Sequence, residues 1–363
     1  MTNTPNIHSV EDARIIARRR LPWMVFDYID GAAGSETGAK RDRAALEAFT
    51  LEPRILRRIE TVSLSKSVFG QRAERPFGIS PMGMCNLAHP KADRALARLA
   101  AKYNVPLGVS TMSSTPLETL LKWSEGNAWF QLYFSGSGET SFKLAHRAQE
   151  AGYKTLVLTV DVPVLGRRPR ELRHGFKMPF RIGPRQFIDF ALHPRWSIQT
   201  LLQGAPKIAN AQMEGYAFER TERRSLADWD TLKRLRELWK GQLVVKGVLN
   251  VEDALTLKAG GVDALQISNH GARQLESSPS PFDRLPLIRE AVGPKFPIFF
   301  DSGIRSGEDI LKCLTQGADF VFLGRALSYG SAADGPRGLN TVWNILSEEL
   351  RGAMVMTGLS RLD

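Results

Sequence analysis

The sequence predicts a (β/α)8 TIM barrel of the α/β class, with an N-terminal helical segment and a long insertion after the fourth strand. Eight apolar runs of strand type alternate with stretches of helical periodicity, which is the pattern of a parallel barrel. No Gly-x-Gly-x-x-Gly string opens a helix after a strand, so a nicotinamide-binding domain has no support. The eight runs are Phe77–Gly83, Pro106–Thr111, Ala128–Tyr133, Thr155–Asp161, Leu243–Val248, Ala264–Asn269, Pro297–Gly303 and Phe320–Arg325.

The part of the chain before these runs predicts an N-terminal helical segment, residues 1–75, packed on a barrel of residues 76–363. Ser9 and Asp12 have the spacing of a capping box at the start of one helix. Pro22 suits the first turn of a second helix, which a glycine-rich stretch ends.

Capping residues also mark helices between the strands. Asn250 and Asp253 have the spacing of a cap at the start of one such helix. Ser306 and Asp309 have the same spacing at the start of another, and Gly317 suits its end. These helices lie where a barrel requires them.

One connection breaks the alternation. Residues 162–225 separate the fourth run from the next helix and far exceed the usual strand-to-helix loop of about 2–6 residues. Within them, residues 175–210 interleave aromatic and basic side chains, and Asp189 is the only acid between His174 and Lys207. Long loops at this end of a barrel carry function, so we expect a membrane-surface element or a lid.

The composition is that of a globular protein, with 43% hydrophobic and 24% charged residues. No run approaches the roughly 20 apolar residues that span a bilayer, and Met1–Val10 lacks the pattern of a signal peptide. Cys85 and Cys313 are the only cysteines, which excludes a disulfide framework and favours a cytoplasmic protein. The net charge of +11 leaves nucleic acid, anionic lipid and acidic substrates open as partners.

Polar residues cluster at the C-terminal ends of the runs, where barrel enzymes build their active sites. Such residues cost burial free energy unless they are paired or bound to a ligand. The sequence therefore predicts a site there, formed by Pro81, Met82, Gly83, Ser110, Gln131, Tyr133, Thr159, Asp161, Lys246, Ser268, His270, Asp301, Arg305, Gly324 and Arg325.

His270 is the candidate general base of this site. Asp161 is placed to accept a hydrogen bond from one ring nitrogen and so leave the other free as a base. Arg168 and Arg273 are placed to form a fork for a carboxylate. The competing interpretations are a structural histidine, a solvated Arg168 and a surface salt bridge at Arg273. The same anion has two candidate hydroxyl donors, Tyr28 and Tyr133.

The last two runs predict a phosphate site. Asp301–Arg305 and Gly324-Arg325 follow strands seven and eight, where barrels most often bind phosphate through backbone amides and a helix N-terminus. Two ordinary tight turns are the alternative. A phosphate deep in a barrel implies a cofactor, whose negative charge Lys246 is placed to hold.

Several strings resemble the family of FMN-dependent L-2-hydroxy acid dehydrogenases and oxidases, and the resemblance covers nearly the whole chain. The Ser-Asn-His-Gly-x-Arg-Gln string is the most specific of them. The strings are Leu21-Pro22 with Asp27-Tyr28, Phe130–Tyr133, Leu158–Asp161, Leu165–Arg168, Val245–Gly247, Ser268–Leu275 and Asp301–Arg305.

The resemblance implies oxidation of an L-2-hydroxy acid to the 2-keto acid, with a hydride passing to flavin N5, His270 as base and Asp161 stabilising the imidazolium. It implies that the substrate carboxylate binds Arg168 and Arg273 with help from Tyr28, and that Tyr133 bridges substrate and flavin. It implies no metal. The residues expected around FMN are Pro81, Met82, Gly83, Ser110, Gln131, Tyr133, Thr159, Lys246, Ser268, Asp301, Ser302, Gly303, Ile304, Arg305, Gly324 and Arg325.

Two features narrow the kind of member. Gly83 stands where the similar oxidases carry Ala and the dehydrogenases carry Gly, which favours an acceptor other than oxygen. The insertion resembles the membrane-associating segment of mandelate and lactate dehydrogenases. We therefore expect a protein peripheral to the inner face of the cell membrane that passes electrons to a quinone, with residues 175–210 in contact with the bilayer. The resemblance also implies a homo-oligomer, a tetramer.

Two other functions stay open on the sequence. The first is a soluble 2-hydroxy acid oxidase that uses O2 and releases H2O2. The second is a non-catalytic basic protein that binds lipid or nucleic acid. Because the basic residues interleave with a full catalytic set, we expect no nucleic-acid partner. The choice among 2-hydroxy acids depends on pocket contacts worth about 1–3 kcal/mol each, which one sequence does not reveal.

Overall fold

The computed structural model describes residues 6–135, 138–176, 182–210 and 227–362. Its N-terminal part contains three helices and an antiparallel hairpin. Helices were predicted there from the sequence, but the hairpin was not. The helices are α1 (Val10–Arg20), α2 (Trp23–Asp30) and α3 (Thr37–Ala48), and the hairpin strands are β1 (Lys66–Val68) and β2 (Gln71–Ala73).

Eight parallel strands follow and close into a barrel in chain order, so the predicted fold class is confirmed. Their apolar residues are buried on both faces of the sheet, as expected for parallel strands covered by helices. The strands are β3 (Phe77–Met82), β4 (Leu107–Ser110), β5 (Ala128–Tyr133), β6 (Thr155–Thr159), β7 (Gln242–Val248), β8 (Ala264–Ile267), β9 (Ile298–Phe300) and β10 (Phe320–Leu323).

Most of the remaining helices lie between these strands. Ser306, Asn250 and Ser9 accept hydrogen bonds from helix N-terminal amides at the predicted positions. The helices are a 3-10 turn (Cys85–Leu87), α4 (Ala92–Tyr103), α5 (Leu117–Trp123), α6 (Glu139–Glu150), α7 (Pro169–Arg173), α8 (Pro184–Leu192), α9 (Pro194–Gln203), α10 (Trp229–Leu238), α11 (Val251–Ala259), α12 (Pro281–Val292), α13 (Gly307–Thr315) and α14 (Arg325–Met356).

Several strands end earlier than predicted. β8 stops at Ile267 and β9 at Phe300, two and three residues short of the predicted ends. The polar residues that follow have left the ladder: Ser302, for example, has φ 92°. Ser268 and residues 301–303, which the sequence assigned to the ends of these two strands, are therefore loop residues at the barrel mouth.

The insertion after β6 carries α7, α8 and α9 and is fastened to the barrel. Trp196 is buried and donates to the Leu87 carbonyl at 2.7 Å. The buried Asp189 accepts from the Trp23 amide at 2.8 Å, and the buried Asn210 donates to the Ser110 carbonyl at 3.2 Å. Residues 177–181 and 211–226 of this region, which include Lys177, Phe180 and Arg181, lie outside the described residues.

The outer surface of α8 and α9 is apolar. It exposes Phe187 by 67% and Leu201 by 81% of their surface. In the described part of the chain, no helix has the length and apolar content to cross a membrane. We call this surface the α8–α9 face; its apolar residues are Phe187, Ile188, Leu192, Ile198, Leu201 and Leu202.

Candidate active site

A cavity of about 520 Å³ occupies the C-terminal mouth of the barrel. Every predicted site residue lines it except Asp161 and Ser268, which lie behind its wall. The lining includes Tyr28, Pro81, Met82, Gly83, Ser110, Gln131, Tyr133, Thr159, Arg168, Lys246, His270, Arg273, Asp301, Ser302, Gly303, Ile304, Arg305, Gly324 and Arg325.

His270 lies beside Asp161 and Tyr133. Its Nδ1 is 3.0 Å from Asp161 Oδ1, and its Nε2 is 3.3 Å from the Tyr133 hydroxyl. Burial lowers the pKa of His270, although Asp161 opposes that shift. The backbone of Gly247 allows the aspartate to come close, because a Cβ there would stand 2.6 Å from Asp161 Cβ.

The loop that carries His270 adopts a left-handed backbone. His270, Gly271 and Ala272 have φ values of 60°, 63° and 59°, a conformation that costs about 1–3 kcal/mol at each non-glycine residue. Three hydrogen bonds hold the loop: His270 N to Ser268 Oγ, Gly271 N to Ser302 Oγ and Ala272 N to Asn269 Oδ1. Ser268 thus supports the loop from behind the cavity wall.

Asp42 of α3 braces the same loop and was missed by the sequence analysis. Its two carboxylate oxygens accept from Asn269 Nδ2 at 2.8 and 2.9 Å. Burial raises the pKa of Asp42 to about 6, with the bond from Asn269 opposing the shift. An acid in a helix far earlier in the chain gave no sequence signal for this contact.

Arg168 and Arg273 come together as predicted, through an acid that was not predicted. Glu171 Oε1 lies 3.2 Å from Arg168 Nη1 and 2.7 Å from Arg273 Nη2. Both guanidinium groups are largely buried, with 10% and 15% of their side-chain surface exposed. A solvated Arg168 and a surface salt bridge at Arg273 are therefore wrong. The spacing of Arg168 and Glu171 at the start of a helix was a signal that could have revealed the pair.

Tyr28 joins this arginine pair to an apolar wall. Its ring is 5.5 Å from the Arg273 guanidinium carbon and stacks on Phe176 with centroids 4.4 Å apart. Its hydroxyl donates to the Gly83 carbonyl at 3.2 Å, and burial raises the pKa of Tyr28. The apolar lining that the sequence analysis did not place in the site includes Met84, Cys85, Ala88, Leu165, Phe176 and Ile208.

Lys246 forms a buried charge pair with Asp301. Its Nζ is 3.0 Å from Asp301 Oδ2 and donates to Ser268 Oγ at 2.6 Å. Burial opposes ionisation of Asp301, yet Lys246 and nearby hydrogen bonds lower the pKa of that carboxyl overall. Gln266 donates to the same aspartate at 2.8 Å. Asp301 is therefore ionised at neutral pH and lies against the Lys246 ammonium group.

Arg325 connects the barrel mouth to the N-terminal segment. Its Nη2 donates to the carbonyls of Gly271 at 2.6 Å and Gly31 at 3.0 Å. Arg273 Nη1 donates to the same Gly31 carbonyl at 2.7 Å. The described residues contain no cluster of His, Cys, Asp and Glu arranged to hold a metal.

Three buried polar atoms of residues that line the cavity have no partner within the described structure. They are Gln131 Nε2 and Arg325 Nε, which are donors, and Thr159 Oγ1, a donor and acceptor. Each such atom costs about 1–3 kcal/mol unless a ligand satisfies it. All three belong to residues predicted to contact FMN, so the wall fits a cofactor with several acceptors and donors.

Comparison with known proteins gives one family. The model of the FMN-dependent dehydrogenases matches residues 17–363. The (S)-mandelate dehydrogenase of Pseudomonas putida is 38% identical over 361 residues, covering 97% of this chain and 91% of that protein. An L-lactate dehydrogenase of Allorhizobium ampelinum is 36% identical over 366 residues, covering 97% of this chain and 95% of that protein.

A solved structure agrees with these relatives. The crystal structure of the monotopic membrane protein (S)-mandelate dehydrogenase superimposes with a TM-score of 0.93 at 37% identity, covering 98% of this chain and 97% of that one. The chain belongs to the FMN-dependent dehydrogenase family. It is an oxidoreductase whose cofactor is FMN, which excludes the non-catalytic basic protein as its main function.

Proposed function

We propose that this protein oxidises an L-2-hydroxy acid to the corresponding 2-keto acid, with His270 as the general base. The observation that carries the proposal is the hydrogen bond between His270 and Asp161, with His270 lining the same cavity as two buried arginines. Base, anion clamp and cofactor wall are the three parts that this reaction needs.

The hydrogen bond to Asp161 defines the role of each ring nitrogen. With the Nδ1 proton donated to the carboxylate at 3.0 Å, Nε2 carries the lone pair and takes the proton of the substrate hydroxyl. The aspartate then stabilises the imidazolium that forms. Because burial lowers the pKa of His270, the ring is neutral and ready to accept a proton at pH 7.

Arg168 and Arg273 bind the substrate carboxylate, and their planar donor groups suit its two oxygens. Tyr28, whose ring lies 5.5 Å from the Arg273 guanidinium, would turn its hydroxyl proton from the Gly83 carbonyl to that anion. Tyr133, 3.3 Å from His270 Nε2, lies where the substrate hydroxyl meets the base. The clamp therefore holds the substrate with its hydroxyl toward His270.

FMN, when bound, would supply the acceptor for the hydrogen of substrate C2, which leaves with both bonding electrons as a hydride. Gln131 and Thr159, with their unpartnered polar atoms, and Ser110 would bind the ring system, and Lys246 would hold its negative charge. Further residues on the ring side are Pro81, Met82, Gly83, Tyr133 and Ser268. The ribityl and phosphate end would be held by Asp301, Ser302, Gly303, Ile304, Arg305, Gly324 and Arg325.

The substrate side chain is apolar in this proposal. Tyr28 joins the arginine clamp to Phe176, so the group next to the carboxylate meets an apolar wall. Met112 and Ile208 belong to the same lining. The relatives named as mandelate and lactate dehydrogenases suggest a substrate side chain between a methyl group and a phenyl group in size.

Electrons then pass to a membrane quinone. The α8–α9 face exposes large apolar side chains, and Arg185, Arg195 and Lys207 of the same segment are also exposed, which suits an anionic bilayer. The relative described as a monotopic membrane protein supports this placement at the inner face of the cell membrane. The proposal includes a homo-oligomer, which the family resemblance makes a tetramer. It also divides the chain into an N-terminal segment, residues 1–75, and a barrel, residues 76–363.

Anaerobic mixing of the FMN-loaded protein with L-lactate, L-mandelate and longer L-2-hydroxy acids tests the reaction. We expect bleaching of the flavin absorbance by at least one L-acid and by none of the D-enantiomers. No bleaching by any acid in the panel would sink the proposal.

The electron acceptor is tested by adding air-saturated buffer or a short-chain quinone to the reduced protein. We expect quinone to reoxidise the flavin faster than oxygen. Hydrogen peroxide formed in step with the keto acid would instead make the protein an oxidase.

A further inference from the structure

Glu171 is the buried acid between the two arginines of the clamp. Only 3% of its side-chain surface is exposed, and Oε1 contacts both Arg168 Nη1 and Arg273 Nη2. It belongs to α7, the short helix at the start of the insertion. No other acid of the described residues forms an ion pair with either arginine, so Glu171 is their common counter-ion.

The charges of these three side chains add to one positive charge. Two guanidinium groups side by side repel each other in a buried site. Burial and the neighbouring Arg168 lower the pKa of Arg273 to about 10, whereas Glu171 acts in the opposite direction. The acid therefore opposes the lowering of the Arg273 pKa, and the three side chains together leave room for one further negative charge.

We propose that Glu171 determines substrate specificity: as the counter-ion of Arg168 and Arg273, it matches the clamp to a single carboxylate and disfavours 2-hydroxy dicarboxylates. This inference rests on the proposed function. The first carboxylate of a substrate neutralises the one remaining positive charge of the clamp. A second carboxylate would then lie beside the carboxylate of Glu171 and the apolar Phe176.

If Glu171 had a purely structural role, a different result would be expected. Glu171 also accepts the Phe176 amide through its backbone carbonyl at 3.0 Å, so its replacement can disturb the local chain. Such a disturbance weakens the binding of all anions alike. A change in the ratio between anions of different charge requires an electrostatic role.

Propionate and malonate test the inference, because they share a three-carbon skeleton and differ by one carboxylate. Calorimetric titration of the FMN-loaded protein, above both pKa values of malonate, gives the two dissociation constants. The wild-type protein is expected to prefer propionate. Glu171→Gln removes the charge with little change in shape, and we expect it to shift the ratio toward malonate by about tenfold or more, the scale of one close charge in a partly screened site.

Two further variants control the measurement. Glu171→Asp keeps the charge and is expected to weaken both anions while leaving the ratio near that of the wild type. Glu118→Gln removes an acid from the exposed pair with Arg147, at 2.7 Å, and is expected to change neither constant.

Equal or tighter binding of malonate by the wild-type protein would overturn the inference without any variant. So would an unchanged ratio in a folded Glu171→Gln protein. Flavin bleaching by the L-2-hydroxy acids separates the two levels: bleaching with a flat ratio refutes the role of Glu171 alone, whereas no bleaching by any acid refutes the proposed function itself.

Discussion

The barrel mouth and the α8–α9 face break the usual rule of residue placement in opposite directions. At the mouth, charged groups such as Lys246, Asp301 and Glu171 are buried. On the α8–α9 face, Phe187 and Leu201 are exposed. Each departure costs free energy unless a partner offsets it, and buried polar groups and exposed apolar patches are the informative exceptions in a fold.

The two regions obtain their partners differently. At the mouth, charged side chains pair with other side chains of the same chain. Lys246 pairs with Asp301, and Asp161 pairs with His270. The α8–α9 face has no comparable internal cover within the described residues. The mouth is thus preorganised for a small ligand, whereas the proposed membrane contact would cover the apolar residues of the face.

The largest effect is expected at the mouth. His270→Ala should lower the rate of flavin reduction by about 10²–10⁴-fold, the usual contribution of a general base, while the bound flavin spectrum is retained. Stopped-flow absorbance measures both. His146→Ala is the matched control, since His146 is exposed and pairs with Glu150 at 3.3 Å. Unchanged reduction in His270→Ala would remove the base from the proposed mechanism.

The next effect is expected on the α8–α9 face. Phe187→Asp with Leu201→Asp removes two apolar groups worth about 1.5–3 kcal/mol each on full burial. We expect binding to anionic vesicles, measured by co-sedimentation, to fall about 100-fold or more with flavin reduction intact. Point changes are preferred to deletion because Phe176 and Ile208 of the insertion line the cavity. Leu255→Asp, on exposed α11, is the control, and equal loss in that variant would place the membrane contact elsewhere.

A smaller shift is expected in the pH profile of the mouth. Burial holds the pKa of His270 below its ordinary value of 6.5, and the base works only when neutral. The rate of flavin reduction should therefore fall as pH drops through a value below 6.5. Asp161 raises that pKa, so Asp161→Asn should move the acid limb of the profile to lower pH. A limb that moves upward would contradict the assigned role of Asp161.

The smallest effect contrasts two leucines. Leu201→Ser should change the free energy of unfolding by no more than about 0.5 kcal/mol, because the side chain is 81% exposed. Leu243→Ala, at a fully buried position of β7, should cost about 2–5 kcal/mol. Denaturant titration of the FMN-loaded proteins measures both. A large loss in Leu201→Ser would mean that the α8–α9 face packs against this chain.

The sequence was sufficient for the barrel because its strands are buried on both sides and read as continuous apolar runs. It also identified the residues of the mouth, because polar residues at the C-terminal ends of parallel strands lie at the same end of the barrel. The hairpin at Lys66–Ala73 was missed, because three-residue strands carry too short an alternation to stand out.

The contacts that the sequence did not reveal join distant parts of the chain. Asp42 braces Asn269 across 227 positions, and Glu171 reaches Arg273 across 102. No local pattern encodes such a meeting. Phe176 and Ile208 were predicted as parts of an insertion and not as cavity lining, because the direction in which a long loop folds back is decided by packing and not by periodicity.

The carbonyl of Gly31 receives Arg273 from the substrate clamp and Arg325 from the predicted phosphate end. A main-chain oxygen is present whichever amino acid carries it, so sequence drift in α2 leaves this tie intact. The constraint falls on one position, where a Cβ would stand 2.5 Å from the Asp27 carbonyl oxygen. The two arginines therefore share an acceptor that no side-chain replacement elsewhere in α2 removes directly.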